Sequence, residues 1–210
     1  MLQPDSLIFD MDGTLWDNVD AYVTSWNKAL KIKQHPVEVT RLEVLKLMGK
    51  EAKQMLNAIL PDVSAEVHDN LFDEVIAQYQ LLLPHMKPHI FDGVHDGLER
   101  LSKKYKLFML SNCEEGGLVN FMKHTKTSHL FTDYMEHGQN LQPKSFNLQL
   151  LKQRNGLEKP VYVGDTDSDS RQSTIAGIPF VYMAYGFGKT DSYSLKFNSF
   201  PEFTHYFIQL

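Results

Sequence analysis

The chain opens with Leu7-Ile8-Phe9, an apolar run that stops abruptly at Asp10. A strand of a parallel sheet, covered on both faces, has this appearance at its carboxyl end. Similar runs recur at Lys106 to Leu110, ending in Ser111-Asn112, at Val161 to Val163, ending in Gly164-Asp165, and at Phe180 to Tyr185, ending in Gly186. Phe131 to Met135 is a weaker one. Between them the apolar period lengthens to that of a helix: Val94, Leu98, Leu101 and Tyr105, then Leu118, Phe121 and Met122, then Phe146, Leu150 and Leu151. This alternation predicts an α/β fold, a doubly wound, mainly parallel Rossmann-like sheet.

One stretch breaks the alternation. From Trp16 to Lys87 the chain is rich in Leu, Lys, Glu and Gln and has no convincing strand. It is punctuated at Pro36, Gly49 and Pro61-Asp62 and leaves through Pro84, Pro88 and Asp92-Gly93, residues that favour turns. An inserted small helical cap over residues 16–88 is expected, with the α/β core made of 1–15 and 89–210. Ser199 and Glu202, with Pro201 between them, predict a last short helix.

Composition narrows the class. The 210 residues suit one core with a modest insertion, and 42% hydrophobic against 22% charged residues is an ordinary globular balance. A formal charge of −5 with no block of like charge gives no reason to expect a nucleic-acid partner. The lone Cys113 excludes an internal disulfide and suits a reducing compartment. Residues Met1 to Asp12 carry no cation and so lack the positive start of a signal peptide, and no run is long enough to span a membrane. A cytoplasmic location is expected; oligomeric state is not legible.

Ligands of open α/β sheets bind beyond the carboxyl ends of the strands, so the polar residues there form the candidate site. They are Asp10 and Asp12 in Asp-Met-Asp-Gly-Thr, Ser111 and Asn112, and Asp165, Asp167 and Asp169 in Gly-Asp-Thr-Asp-Ser-Asp, with Lys144 leading the preceding helix. Two carboxylates two residues apart can divide the roles of nucleophile and proton carrier. Asp165 and Asp169 beside them crowd like charges, which calls for a cation, and few carboxylates plus water and phosphate suit Mg2+. Ser111, Asn112 and Lys144 are the groups that hold a phosphoryl group. An Asp after a strand can also be no more than a helix cap.

In order and spacing these residues resemble the haloacid dehalogenase superfamily, in its phosphoglycolate phosphatase and beta-phosphoglucomutase-like branch. The resemblance rests on Asp10-Met11-Asp12-Gly13-Thr14, Ser111, Lys144 and Gly164-Asp165 with Asp169, and it spans nearly the whole chain. It implies an aspartyl-phosphate on Asp10, with Asp12 protonating the leaving oxygen and activating water. Asp10, the Asp12 carbonyl, Asp165 and Asp169 would form the Mg2+ site. Thr14, Ser111, Asn112 and Lys144 would bind phosphate, with Lys152 and Lys159 as alternatives because the family's lysine usually precedes a proline whereas Pro143 precedes Lys144. Trp16 would line the entrance, and Gly49-Lys50 falls where this branch has a specificity loop. The expected activity is hydrolysis of a small phosphorylated metabolite. A phosphomutase and a non-catalytic phosphate-sensing protein are the alternatives.

Three other signals carry less. Gly188-Lys189-Thr190 resembles the end of a P-loop but has Met183 where the first glycine belongs. His85 and His89 have metal-binding spacing, but Pro88 between them disfavours a regular helix. Cys113 reads as a small buried residue at a strand end.

Overall fold

A computed structural model describes residues 3–210. Six strands form one sheet, every neighbouring pair parallel: β1 (Ser6–Phe9), β4 (Lys106–Ser111), β5 (Phe131–Glu136), β6 (Pro160–Gly164), β7 (Phe180–Met183) and β8 (Leu195–Phe197), in the spatial order β5-β4-β1-β6-β7-β8. The remaining strands, β2 (Trp16–Asp17) and β3 (His89–Ile90), pair with each other.

All four residues of β1 are buried, and Ile8 pairs with Phe108 on one side and Tyr162 on the other. After β5 the chain returns to the far side of β1 to form β6. The order therefore reverses between β1 and β6, and a crevice opens at their carboxyl ends. Five helices flank the sheet: α5 (Val94–Leu101), α6 (Gly117–Thr125), α7 (Lys144–Arg154), α8 (Asp167–Ile175) and α9 (Phe200–Gln209). Phe200 and Phe203 of α9 pack on Phe9 with ring centroids 6.1 and 5.8 Å away. The α9 start is capped by Ser199, whose Oγ accepts from the Glu202 amide; the Glu202 carboxylate accepts from Asn198 rather than from the cap itself.

Two expectations need correction. No strand was expected at Leu195–Phe197, because three residues with exposed Lys196 in the middle carry no apolar run; β8 is a sheet edge, where a charge is tolerated and useful. The predicted stripe of α7 holds at Leu151 and in part at Leu150 but fails at Phe146. Phe146 is 50% exposed, and the buried face is Lys144, Asn147, Leu148 and Leu151. Two polar members on that face hid its period.

A second compact unit covers residues 17–89. It contains α1 (Val19–Ile32), α2 (Arg41–Leu45), α3 (Ala52–Ile59) and α4 (Ala65–Leu82), with α1 packed on α4. Its core includes Trp26, Leu30, Leu71 and Val75. Tyr22 and Tyr79 stack at 5.1 Å, and Asn18 donates to the Tyr79 hydroxyl at 2.7 Å. Thr40 and Glu43 form a reciprocal cap on α2, and Arg41 pairs with Asp17 and Asp20. Among the described residues, no helix is long and apolar enough to cross a membrane.

Candidate active site

The adjacency of β1 and β6 sets the site. Asp10 directly follows β1, and its amide donates to the Val163 carbonyl of β6 at 2.8 Å. Asp165 directly follows β6. The backbone then turns on the Met11 carbonyl, which accepts from Leu15 at 2.8 Å. Gly13 makes this turn with a φ of 78°, and a Cβ there would fall 2.2 Å from Asp165 Oδ2. Gly186 closes in from the loop after β7: its Cβ would fall 2.3 Å from the Asp165 Cβ and 2.4 Å from the Gly13 carbonyl. The two glycines thus let backbone approach Asp165 where no side chain fits.

Asp165 is held by the Phe187 amide, which donates to Oδ2 at 2.7 Å, and more loosely by the Thr14 hydroxyl, 3.5 Å from Oδ1. Asp169 is the third residue of α8 and divides its oxygens between two tasks. Oδ2 accepts from the Thr166 amide at 3.0 Å and hydroxyl at 2.6 Å, completing the helix cap. Oδ1 accepts from Lys144 Nζ at 2.7 Å and the Tyr162 hydroxyl at 3.2 Å. Lys144, the first residue of α7, also lies 3.2 Å from Asp10 Oδ1 and is only 3% exposed.

Two of the three buried carboxylates, Asp10 and Asp169, thus share one ammonium, and Asp165 lies beside them without it. Burial pushes Asp10 up to about 7; Lys144 opposes that shift and the Asp169 charge adds to it. Burial, then the charges of Asp169 and Asp10, push Asp165 well above the usual carboxylate range. Burial works against ionisation of Asp169 as well, but Lys144 and the Thr166 hydrogen bonds outweigh it and hold that carboxyl below the usual value. Burial disfavours the Lys144 ammonium, yet the two carboxylates more than compensate and raise its pKa.

This arrangement fits a divalent cation. Asp10, Asp165 and Asp169 each offer an oxygen within 4.8 Å of the others, and beyond its ion pair with Lys144 the Asp10 Oδ1 has no aligned hydrogen bond among the described residues. A hard cation with oxygen ligands would satisfy that oxygen and the uncompensated charge.

Stability should report the same imbalance. Without a divalent cation, folded Asp10 and Asp165 keep protons that the unfolded chain releases near pH 4, so the folded state binds more protons and loses stability as pH rises toward 7. The lowered Asp169 acts in the opposite sense, but only below that window. Melting in EDTA should therefore fall between pH 5 and 7.5. Asp165→Asn should flatten the slope, and added Mg2+ should raise the melting temperature more at pH 7.5 than at pH 5. A wild-type melting temperature that holds or rises across that range in EDTA would contradict this.

The other candidates separate clearly. Phe9 pairs with Met109, so Ser111 and Asn112 emerge beside the first motif. Their loop is pinned by buried Glu136, which accepts from the Gly116 amide at 2.8 Å and the Leu118 amide at 2.6 Å, while the Cys113 carbonyl accepts from Gly138 at 3.1 Å. Burial first, then Glu114 and Glu136, push the half-buried Cys113 thiol well up, which disfavours its thiolate. Lys152 and Lys159 border a recess with Gln3, Pro4 and Pro160 at the amino end of β6, away from the carboxylates. Of the three lysines, Lys144 reaches them.

Thr14 is fully buried, with its hydroxyl on Asp165 and its carbonyl accepting from Tyr185 at 2.5 Å, so it braces the loop. The Asp12 carboxylate stands outside the buried acidic trio. Its Oδ1 accepts from Trp16 Nε1 at 2.9 Å. Trp16 has no exposed surface, so it lines no entrance; its length and apolar body bury it beside Phe121 instead. Gly49 and Lys50 lie between α2 and α3 in the helical unit.

Tyr162, Glu136 and the Tyr185–Phe187 loop were not anticipated. Tyr162 sits within an apolar run and reads as core, and Phe187 acts through its amide, which leaves no side-chain pattern. Glu136 could have been found, since it is the polar residue that ends a strand.

A parallel sheet presenting paired aspartates at its switch point, backed by a buried lysine, defines a protein of the Rossmann-like plan with a buried acidic site. The chain belongs to the haloacid dehalogenase-like hydrolases, whose family profile matches residues 7–183. It is 26% identical over 193 residues to a phosphoglycolate phosphatase of Aliivibrio fischeri, covering 86% of this chain and 84% of that one. It is 24% identical over 211 residues to the phosphoglycolate phosphatase of Rhodobacter capsulatus, covering 93% of each. A haloacid dehalogenase-like hydrolase of Streptococcus pneumoniae has the same fold, with a TM-score of 0.84 at 19% identity over 97% of this chain and 98% of that one.

Proposed function

We propose that this protein is a Mg2+-dependent phosphatase that hydrolyses a small phosphorylated metabolite through an aspartyl-phosphate on Asp10. The observation that carries the reading is the buried trio Asp10, Asp165 and Asp169 around Lys144. Asp10 directly follows β1, and Lys144 at 3.2 Å favours its ionised form against the burial that opposes it, which suits it to attack phosphorus. Asp12, outside the trio, gives a proton to the leaving oxygen and later takes one from the attacking water. Ser111 and Asn112 hold the phosphoryl oxygens, and Lys144 balances their charge and holds Asp10 in line.

Asp10, Asp165, Asp169 and the Asp12 carbonyl would hold Mg2+, which when bound supplies charge neutralisation at the transferring phosphoryl group. The helical segment 16–88 takes the role of selecting the substrate, with Gly49 and Lys50 as its first candidates. Phosphoglycolate heads the substrates to test, since the relatives carry that name. Phosphate release should be measured over a panel of metabolite phosphates, with Mg2+ and with EDTA. Release that stops in EDTA and returns with Mg2+ is expected; release that persists in EDTA would refute the metal dependence, and none from any monoester would refute the activity.

A further inference from the structure

We infer that Trp16 is a positioning residue for the proton-transferring acid, its indole N–H fixing Asp12 Oδ1 so that the proton is carried on Oδ2. The inference rests on the role given to Asp12 above. Its basis is the 2.9 Å bond from Nε1 to Oδ1, made by a side chain with no exposed surface.

Trp16 is itself firmly held. Its carbonyl accepts from the Gly13 amide at 2.9 Å, and its ring meets Phe121 edge-on, with centroids 4.9 Å apart and planes at 87°. The indole therefore cannot follow Asp12 if that side chain rotates. An indole N–H only donates, so the oxygen it faces must accept and cannot also present an O–H along the same line. The bond is best made to the carbonyl-type oxygen of a neutral Asp12, which biases the O–H toward Oδ2. The acid forms its O–H on Oδ2, passes that proton to the leaving ester oxygen as the P–O bond breaks, and is left as a carboxylate whose Oδ1 still accepts from Trp16. Holding donor and acceptor in one geometry removes a rotational search from the transition state.

The consequence is selective. A leaving group that departs readily as an anion needs no proton, whereas an alkoxide does. Phosphoryl transfer from p-nitrophenyl phosphate should therefore be nearly indifferent to Trp16, and transfer from an alkyl phosphate such as phosphoglycolate should depend on it.

The test is single-turnover phosphoryl transfer from both esters in Mg2+, for wild type, Trp16→Phe and Asp12→Asn. A fourth protein carries benzothienylalanine at position 16, which keeps the ring shape and lacks the N–H. The Trp16→Phe and benzothienyl proteins should slow transfer from the alkyl ester about 10- to 100-fold, part of the ~10²–10⁴-fold that general acids supply, and from the aryl ester less than about 3-fold, with KM unchanged. In the Asp12→Asn background, Trp16→Phe should add nothing. Equal losses on both esters, no loss on either, or a normal rate in the benzothienyl protein would overturn the inference. If Asp12→Asn itself spares the alkyl ester, the acid role of Asp12 fails instead, and the two failures are distinct.

Discussion

Asp10→Asn should lower kcat for phosphate release by at least about 10⁴-fold, the scale on which removal of a covalent nucleophile acts. The fold should stay within about 1 kcal/mol of wild type at pH 7, a small change by the standards of point mutations. The two expectations come from the same place. The Asp10 carboxyl is pushed up to about 7 by burial, so near neutrality the folded protein holds its charged form at a cost that an amide avoids. An amide of the same shape changes little electrostatically, and Lys144 keeps its closer partner Asp169 at 2.7 Å. The amide cannot attack phosphorus. Phosphate release with thermal melting of the same preparation checks both, and turnover within tenfold of wild type would remove Asp10 from the role of nucleophile.

Lys144→Met should do the reverse, damaging the fold as well as the chemistry. Among the described residues the ammonium is the one cation paired with the buried acidic trio, and it touches two of its members, Asp10 and Asp169. Replacing it with a thioether of similar length preserves packing but leaves buried charge uncompensated, a change that costs about 3–5 kcal/mol. The loss should be larger in EDTA than in Mg2+, because a ligand that binds only the folded state offsets part of it. Lys152→Met and Lys159→Met, beside the amino end of β6, should stay within about 0.5 kcal/mol. Denaturant unfolding of the three variants is the measurement. Wild-type stability in Lys144→Met would show that the carboxylates do not depend on this ion pair.

The same residues mark how far the chain could be read without coordinates. Leu7-Ile8-Phe9 before Asp10 and Val161 to Val163 before Gly164-Asp165 announce buried strands ending in carboxylates, because burial on both faces demands an unbroken apolar run. The first motif and the second acidic motif were therefore legible with their fold. Lys144 was named but could not be separated from Lys152 and Lys159, since all three sit near the same helix in sequence. The α7 stripe was misread at Phe146 for a related reason. Lys144 and Asn147 face inward, and the hydrophobic period looks only for apolar residues.

Asp169 shows how the plain and the functional readings of one residue can both hold. An aspartate three residues into a segment led by Thr166 is what a helix cap requires, and Oδ2 serves that cap. Oδ1 belongs to Lys144 and Tyr162. Sequence spacing reveals the cap, whereas the second partner is 25 residues away and becomes visible only when α7 and β6 are in place.

By itself the sequence determined the class of fold and the acidic motifs at the strand ends, because these depend on local periodicity and on residue types at fixed short spacing. Only the tertiary structure decided which lysine meets the carboxylates, that Trp16 is sealed inside with its N–H on Asp12, and that Thr14, Phe187 and Gly186 brace Asp165. The Trp16–Asp12 bond spans four residues and needs the fold only to seal the indole beside Phe121, whereas the other contacts join segments that are distant along the chain or act through backbone atoms. The sheet creates them by bringing the ends of β1 and β6 side by side, and no local pattern of side chains encodes them.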